Sequence, residues 1–118
     1  MKDELVYLKG QNNTPDKAKE LFLQSKDVVK DESASSLDRA IRFFVVNKCS
    51  FSGLTESSSF SKAASKGNFS MRGIEKLPGY AKIIKNWKIT NLSYEELLTD
   101  DKDVFTYLDP PYDIKSNL

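Results

Sequence analysis

Histidine is absent from the 118 residues, and Cys49 is the single cysteine. Histidine is the commonest general base and the commonest metal ligand, so its absence excludes both of these uses. One cysteine can form neither an intrachain disulfide nor a zinc site, which indicates a reducing compartment, the cytoplasm. We therefore expect chemistry that depends on carboxylates, hydroxyls, backbone carbonyls or aromatic rings, without a metal.

Long apolar runs are missing as well. No stretch approaches the roughly 20 apolar residues that span a bilayer, and residues 1–10 lack the apolar segment of a signal peptide. The composition is 39% hydrophobic and 30% charged, which is typical of a globular protein. We expect a cytoplasmic protein that does not use a membrane.

The net charge is only +1, but it is unevenly distributed. Residues 1–60 carry nine basic and nine acidic side chains, and residues 61–90 carry seven basic against one acidic. Residues 91–118 reverse the sign, with two basic against seven acidic. A basic segment can bind nucleic-acid phosphates, although the charge pattern taken alone favours an ordinary solvated helix face.

Apolar spacing predicts helices near residues 15–30, 36–48 and 79–86. Thr14-Pro15-Asp16 is a typical helix start, and Ser35-Ser36 precedes the second apolar face. Residues 50–70 contain eight serines and two glycines, which predicts a loop with a short helical turn near 60–64. A short helix is expected over residues 71–77, and residues 1–10 show no clear pattern.

The periodicity changes after residue 87. Residues 88–91 predict a short strand, and Ser93 with Glu96 has the spacing of a helix capping box. Residues 104–108 form a continuous apolar and β-branched run, which is typical of a buried parallel strand. The expected fold is α/β, a mainly helical fragment with a small parallel sheet. Uncovered sheet edges would favour self-association.

Asp109-Pro110-Pro111-Tyr112 follows the second predicted strand, where α/β sheets bind ligands. Hydrogen bonds from an exocyclic amine to the Asp109 carboxylate and the Pro110 carbonyl would return electron density to nitrogen. Adenine carries such an amine, which could then attack an electrophilic methyl group. The prolines fix the backbone, and Tyr112 offers a face on which an extruded base can stack. The tetrapeptide is equally consistent with a plain strand-ending turn.

A second motif extends the pattern. Residues 42–54, RFFVVNKCSFSGL, resemble a segment of Dam-type adenine-specific DNA methyltransferases, in which an apolar helix runs into an Asn-(Arg/Lys)-x-x-(Phe/Tyr)-(Asn/Ser)-Gly-Leu turn. In that family the segment precedes the catalytic motif by some tens of residues, as it does here. Residues 87–98 also resemble the strand and acidic helix before the family's Asp-Pro-Pro-Tyr strand. Together these similarities cover most of residues 39–112.

The resemblance implies methyl transfer from S-adenosylmethionine to N6 of adenine in double-stranded DNA, on a Rossmann-like fold. Asp109 would contact the amine and the cofactor, Pro110 would offer its carbonyl, Pro111 would complete the motif, and Tyr112 would stack on the flipped adenine. The implied DNA-binding residues are Asn47, Lys48, Ser50, Phe51, Ser52, Gly53, Lys62, Lys66, Arg72, Lys82 and Lys85.

Three features depart from the family pattern. Nothing before Arg39 resembles the glycine-rich motif that binds most of the cofactor. The usual arginine after the Gly-Leu turn is replaced by Thr55-Glu56-Ser57, and Asn68-Phe69-Ser70 only partly matches a later family segment. The sequence stops at Leu118, where the family continues with further strands.

We therefore expect residues 1–118 to be a single partial domain, with a helical, recognition-like part at 14–87 and the end of the catalytic sheet at 88–118. Alone it would be inactive, and its partner would be the missing remainder of the enzyme. One alternative is a non-catalytic, DNA-binding remnant protein. Another is a methyltransferase for protein glutamine, which Asp109 and the 47–54 segment disfavour.

Overall fold

The structure, a computed structural model, describes residues 1–53 and 58–110. The α-helices of these residues are α1 (Lys2–Gln11), α2 (Pro15–Lys30), α3 (Ser36–Cys49), α4 (Lys62–Gly67), α5 (Met71–Glu75) and α6 (Leu77–Ile83). Short 3-10 helices cover Phe51–Gly53 and Tyr94–Leu97. The chain divides into two units, Met1–Asn86 and Trp87–Leu118. We call the first the helical unit, and residues 87–110 of the second the motif segment.

The two longest helices begin where their capping residues predict. The Thr14 hydroxyl accepts a hydrogen bond from the Lys17 backbone N–H at 3.4 Å, and Pro15 occupies the first turn of α2. At the start of α3, the Ser35 hydroxyl accepts one from the Asp38 backbone N–H at 3.0 Å. Each cap satisfies a backbone donor that has no partner inside the helix. The predicted helices near 15–30 and 36–48 are confirmed.

The core of the helical unit forms mainly between α2 and α3. Phe22 and Val45 are almost completely buried, and their neighbours in the same cluster come from α1, α2, α3 and the segment around α5. Phe22 packs against Phe60 with ring centroids 5.8 Å apart, and Phe44 packs against Phe69 at 6.4 Å. Each large side chain that is fully buried contributes about 1.5–3 kcal/mol to folding.

Helix α1 is an element that the sequence pattern did not reveal. Its N-terminus has no side-chain cap, and only Leu5 and Leu8 are buried. Two leucines one turn apart are too few to produce a recognisable apolar stripe. The helix therefore depends on tertiary packing of these leucines rather than on a strong local signal.

Residues 58–70 are less of a loop than predicted. The predicted turn near 60–64 is instead helix α4, where the Ser61 hydroxyl accepts a hydrogen bond from the Ala64 backbone N–H at 3.1 Å. The helix predicted over residues 71–77 is confirmed at its start, but α5 ends at Glu75 and Leu77 already belongs to α6. Helix α6 begins at Leu77 and ends at Ile83, earlier than the predicted 79–86. Proline is favoured in a first turn, so Pro78 belongs inside the helix rather than before it.

The predicted parallel sheet is not confirmed. Residues 88–91 and 104–108 have no strand structure, and every described residue of the motif segment is exposed. A strand needs a neighbour that pairs with its backbone N–H and C=O groups, and the described residues 87–110 supply none. The expected capping box is present, because the Ser93 backbone N–H donates to the Glu96 carboxylate at 3.1 Å. None of the described helices is long and apolar enough to cross a membrane.

Candidate functional site

The last turn of α3 and the segment that follows it bring six of the predicted DNA-binding residues together: Asn47, Lys48, Ser50, Phe51, Ser52 and Gly53. The Asn47 side-chain amide donates to the Gly53 carbonyl at 2.7 Å. The Ser50 hydroxyl donates to the Asn47 carbonyl at 3.1 Å. The Asn47 amide therefore closes the turn as a donor, which gives the sequence motif a structural cause.

The two ends of this turn are held by the returning chain. The Ser61 backbone N–H donates to the Cys49 carbonyl at 2.8 Å, and the Phe51 N–H donates to the Ser59 carbonyl at 3.1 Å. Ser50 and Phe60 form an isolated antiparallel bridge between these bonds. The turn is consequently fixed to the helical core at its base.

Backbone conformation is unusual at the tip of the turn. Ser52 has φ 57° and Gly53 has φ 66°, both in the left-handed region. This region costs a residue with a Cβ about 1–2 kcal/mol, so Ser52 is held in a strained conformation. The neighbouring Phe51 is 65% exposed. A fixed turn that presents an exposed aromatic ring is suited to stacking on a nucleic-acid base.

The predicted phosphate contacts all lie in the helical unit. Lys62 and Lys66 are on α4, Arg72 is on α5, Lys82 is on α6, and Lys85 follows α6. All five side chains are exposed, and none forms a hydrogen bond or ion pair with the part of the chain that the structure describes. They are therefore available to an anionic partner, and a solvated helix face would look the same.

Asp109 and Pro110 lie on the wall of a concavity of about 620 Å³. Ligand pockets in proteins commonly have volumes of about 300–1,000 Å³. The other lining residues all belong to the motif segment and are Tyr94, Leu97, Leu98, Thr106, Tyr107 and Leu108. The predicted catalytic residues Pro111 and Tyr112 lie outside the described residues.

Sequence reasoning missed two aromatic residues of this concavity, Tyr94 and Tyr107. Tyr94 begins the 3-10 helix after the capping serine, and Tyr107 lies two residues before Asp109. The position of Tyr107 beside the Asp-Pro motif was an available sequence signal, whereas Tyr94 is distant from that motif in sequence and is brought to the concavity only by the structure. Both rings are more than half exposed, so each offers a face to a planar ligand.

Cys49 lies at the base of the turn but is no candidate nucleophile. Its side chain is fully buried, and burial raises the pKa of the thiol to about 11. The reactive form of cysteine is the thiolate, which is scarce at neutral pH when the pKa is so high. The carboxylate and aromatic groups near Asp109 therefore remain the candidates for chemistry.

A fixed aromatic turn, a set of exposed cations and an Asp-Pro motif beside a ligand-sized concavity indicate the class of nucleic-acid-modifying proteins. Comparison with known families gives the assignment within that class. The family model described as D12 class N6 adenine-specific DNA methyltransferase matches residues 2–118, and the chain belongs to this family. The resemblance to Dam-type enzymes is thereby confirmed. Neither curated proteins nor solved structures gave a match.

Proposed function

We propose that this chain takes part in transferring a methyl group from S-adenosylmethionine to N6 of adenine in DNA, with Asp109, Pro110, Pro111 and Tyr112 as catalytic residues. One observation carries the proposal: the family match spans residues 2–118, and Asp109 and Pro110 line a concavity of ligand size. The family supplies the reaction, and the concavity supplies a place for the base.

The chemistry follows from the two acceptors. The Asp109 carboxylate accepts one N–H of the adenine amine, and the Pro110 carbonyl accepts the other, which raises the electron density on nitrogen. S-adenosylmethionine, when bound, supplies an electrophilic methyl group. Asp109 is exposed, so the proton lost from nitrogen can pass through its carboxylate to water. The rings of Tyr94 and Tyr107, together with that of Tyr112, would hold the extruded base by stacking.

We propose that Asp109 lies beside the cofactor, and the described residues offer no glycine-rich cradle for that cofactor. Gly10 lies inside α1, and the positive-φ backbone positions among the described residues are Ser52 and Gly53. A glycine turn around a cofactor needs backbone conformations of that kind. That the main cofactor motif is absent from this chain, and that the chain by itself is inactive, stays a proposal drawn from the sequence pattern before Arg39.

In this proposal the helical unit is the DNA-binding part. Phe51 and the turn of residues 47–53 contact bases, and the exposed cations from Lys62 to Lys85 contact phosphates. In the complete enzyme, residues 88–91 and 104–108 would pair as strands of the family's Rossmann-like sheet. Without such pairing, the exposed apolar side chains of the motif segment favour self-association.

The test of catalysis is Asp109→Ala in an enzyme that carries the whole catalytic sheet. Loss of an electrostatic contact to the reacting group lowers turnover by roughly 10²–10³-fold, and we expect at least that loss of N6-methyladenine formation. Asp100→Ala removes a carboxylate that is also exposed but lies away from the concavity, and it serves as the control. Full activity of Asp109→Ala would refute the assignment.

The isolated chain separates the remaining hypotheses. Incubation with DNA and S-adenosylmethionine should leave no N6-methyladenine above background, and its detection would refute the inactivity of the chain alone. If the complete enzyme methylates a protein but not DNA, glutamine becomes the favoured substrate.

A second candidate function is DNA binding without catalysis. It is favoured because the helical unit contains both its own buried core and the exposed cations. The discriminating result is salt-dependent DNA binding by the chain without any binding of S-adenosylmethionine. Lys82→Glu with Lys85→Glu should abolish that binding, and Lys19→Glu with Lys30→Glu, which reverses two exposed charges on α2, should change it much less.

A further inference from the structure

A second concavity, of about 230 Å³, lies within the helical unit and has a strongly basic lining. Its wall includes Lys9 from α1, Lys62 and Lys66 from α4, and the amides Asn12 and Asn13 from the loop between α1 and α2. No aspartate or glutamate lines it. Two of the three lysines come from the basic segment of residues 61–90, and Lys9 adds a third cation from the N-terminal helix.

Lys9 is held in position by the protein. Its ammonium group donates to the Ser65 carbonyl at 3.0 Å and lies 5.1 Å from the centre of the Phe69 ring. An ammonium group has three N–H donors, and one is occupied by Ser65. The other two remain for a ligand on the wall of the pocket.

Lys62 and Lys66 contribute two further positive charges to the lining of this pocket. They are four residues apart on α4, which places both on one face of the helix. Both are exposed, and neither is paired with a carboxylate among residues 1–53 and 58–110. Three cations around one small concavity create a positive potential that only an anion can relieve.

The size of the pocket limits the anion. Its volume is below the roughly 300–1,000 Å³ of sites that enclose whole cofactors or drug-sized ligands. A single tetrahedral oxyanion matches both the volume and the donors, because each oxygen can accept from a separate N–H. The Asn13 amide, which makes no bond to the described chain, adds one more donor.

We propose that this pocket binds a phosphate group and that the phosphate belongs to the DNA backbone. The identity of the phosphate as DNA rests on the proposed function, whereas the chemistry of the pocket does not. The proposal adds Lys9 and Asn13 to the DNA-binding surface. It also assigns Lys62 and Lys66 to one common phosphate rather than to separate ones.

The first experiment measures duplex DNA binding by the full chain as a function of salt. Lys62→Gln with Lys66→Gln should weaken binding roughly tenfold and reduce the slope of log K against log salt by about 1, the value for one lost phosphate contact. Lys19→Gln with Lys30→Gln removes the same charge from exposed positions of α2 outside the pocket and should leave the slope within error. Equal effects of the two pairs would overturn the proposal.

The second experiment tests the pocket without DNA, so that it fails independently of the proposed function. Titration with inorganic phosphate should shift the amide NMR signals of Asn13, Lys62 and Lys66, and the double glutamine variant should abolish the shifts. If the chain binds no DNA but these shifts occur, the pocket stands as a site for free phosphate and the proposed DNA surface fails. Absence of shifts at millimolar phosphate would overturn the pocket itself.

Lys9→Gln is a third variant, but it also removes the bond to Ser65 and can destabilise α4. Its thermal unfolding should therefore be compared with that of Lys9→Arg, which keeps a donor and a charge. If Lys9→Gln loses phosphate binding and Lys9→Arg retains it, the position has a ligand-binding role. If Lys9→Arg is as stable as the native chain but does not bind phosphate, the ligand-binding role of Lys9 is contradicted.

Discussion

The helical unit and the motif segment differ in the burial of their apolar side chains. In the helical unit, leucine, phenylalanine and isoleucine from separate helices meet in one buried cluster. In the motif segment, Phe105 is 90% exposed, Tyr107 is 78% exposed and Ile89 is 73% exposed. Both parts have similar apolar residues, so the difference lies in what surrounds them.

The buried apolar side chains that stabilise the fold and the Asp-Pro motif lie in different parts of this chain. Burial of apolar area is the dominant favourable term in folding, and the described residues obtain it only in the helical unit. The motif segment contains the Asp-Pro motif yet lacks buried side chains. We infer that the helical unit determines whether the chain folds and that the motif segment needs further structure to hold its catalytic geometry.

The largest expected effect is on the core. Phe22→Ala should lower the free energy of unfolding by about 3–5 kcal/mol, because Phe22 is 1% exposed and its removal leaves a cavity. Phe105→Ala removes the same ring from the motif segment and should change stability by less than about 0.5 kcal/mol. Urea denaturation followed by far-UV circular dichroism measures both. Similar losses in the two variants would break the comparison.

Cysteine reactivity gives a second contrast. Native Cys49 should react with iodoacetamide at least tenfold more slowly than a cysteine placed at the exposed Ile89 in a Cys49→Ala background, because the buried thiol stays protonated. Mass spectrometry of the labelled chains measures both rates. Rapid labelling of native Cys49 would show that the core opens readily.

The same thiol predicts a pH dependence of stability. Its pKa is raised from 9.0 to about 11 in the folded chain, so the unfolded chain releases the proton first as pH rises. Stability is therefore unaffected below about pH 9 and decreases from pH 9 to about 11. Cys49→Ala should lack this part of the decrease. Parallel curves for the two proteins would contradict the buried thiol.

The smallest expected effect concerns helix caps. Ser35→Ala should cost about 1 kcal/mol, because the Asp38 backbone N–H at the start of α3 loses its acceptor. Glu96→Ala removes the carboxylate that caps the 3-10 helix of the motif segment and should leave the main unfolding transition unchanged. A matching loss for Glu96→Ala would show that the two parts unfold together.

Local signals predicted much of the helical unit. Thr14, Pro15 and Ser35 marked helix starts, because a cap acts on donors within three residues of itself. The 47–53 turn was also recognisable, since Asn47 and Gly53 are near each other in sequence and in space. Helix α1 and the second half of α4 were not predicted. Their burial depends on Leu5, Leu8 and Ala64 meeting partners that are distant in sequence.

The candidate sites divide in the same way. The Asp109-Pro110 motif and the cations of residues 62–85 were found from residue types alone, whereas the pocket that joins Lys9 to Lys62 and Lys66 was not. The Lys9 bond to Ser65 spans 56 residues of sequence. The two predicted strands are not confirmed in the described residues, because a strand pattern specifies which face is apolar but cannot supply the neighbouring strand that must pair with it.

By itself, the sequence determined the family and the caps of the long helices, and it revealed the Asp-Pro motif, since these depend on residue identity and on short-range hydrogen bonds. Tertiary structure decided which apolar residues are buried, that α1 forms, and that three separated lysines share one concavity. The physical reason is the range of the interactions. Hydrophobic burial and clustered charge depend on which distant residues meet in space, and a short sequence pattern does not contain that information.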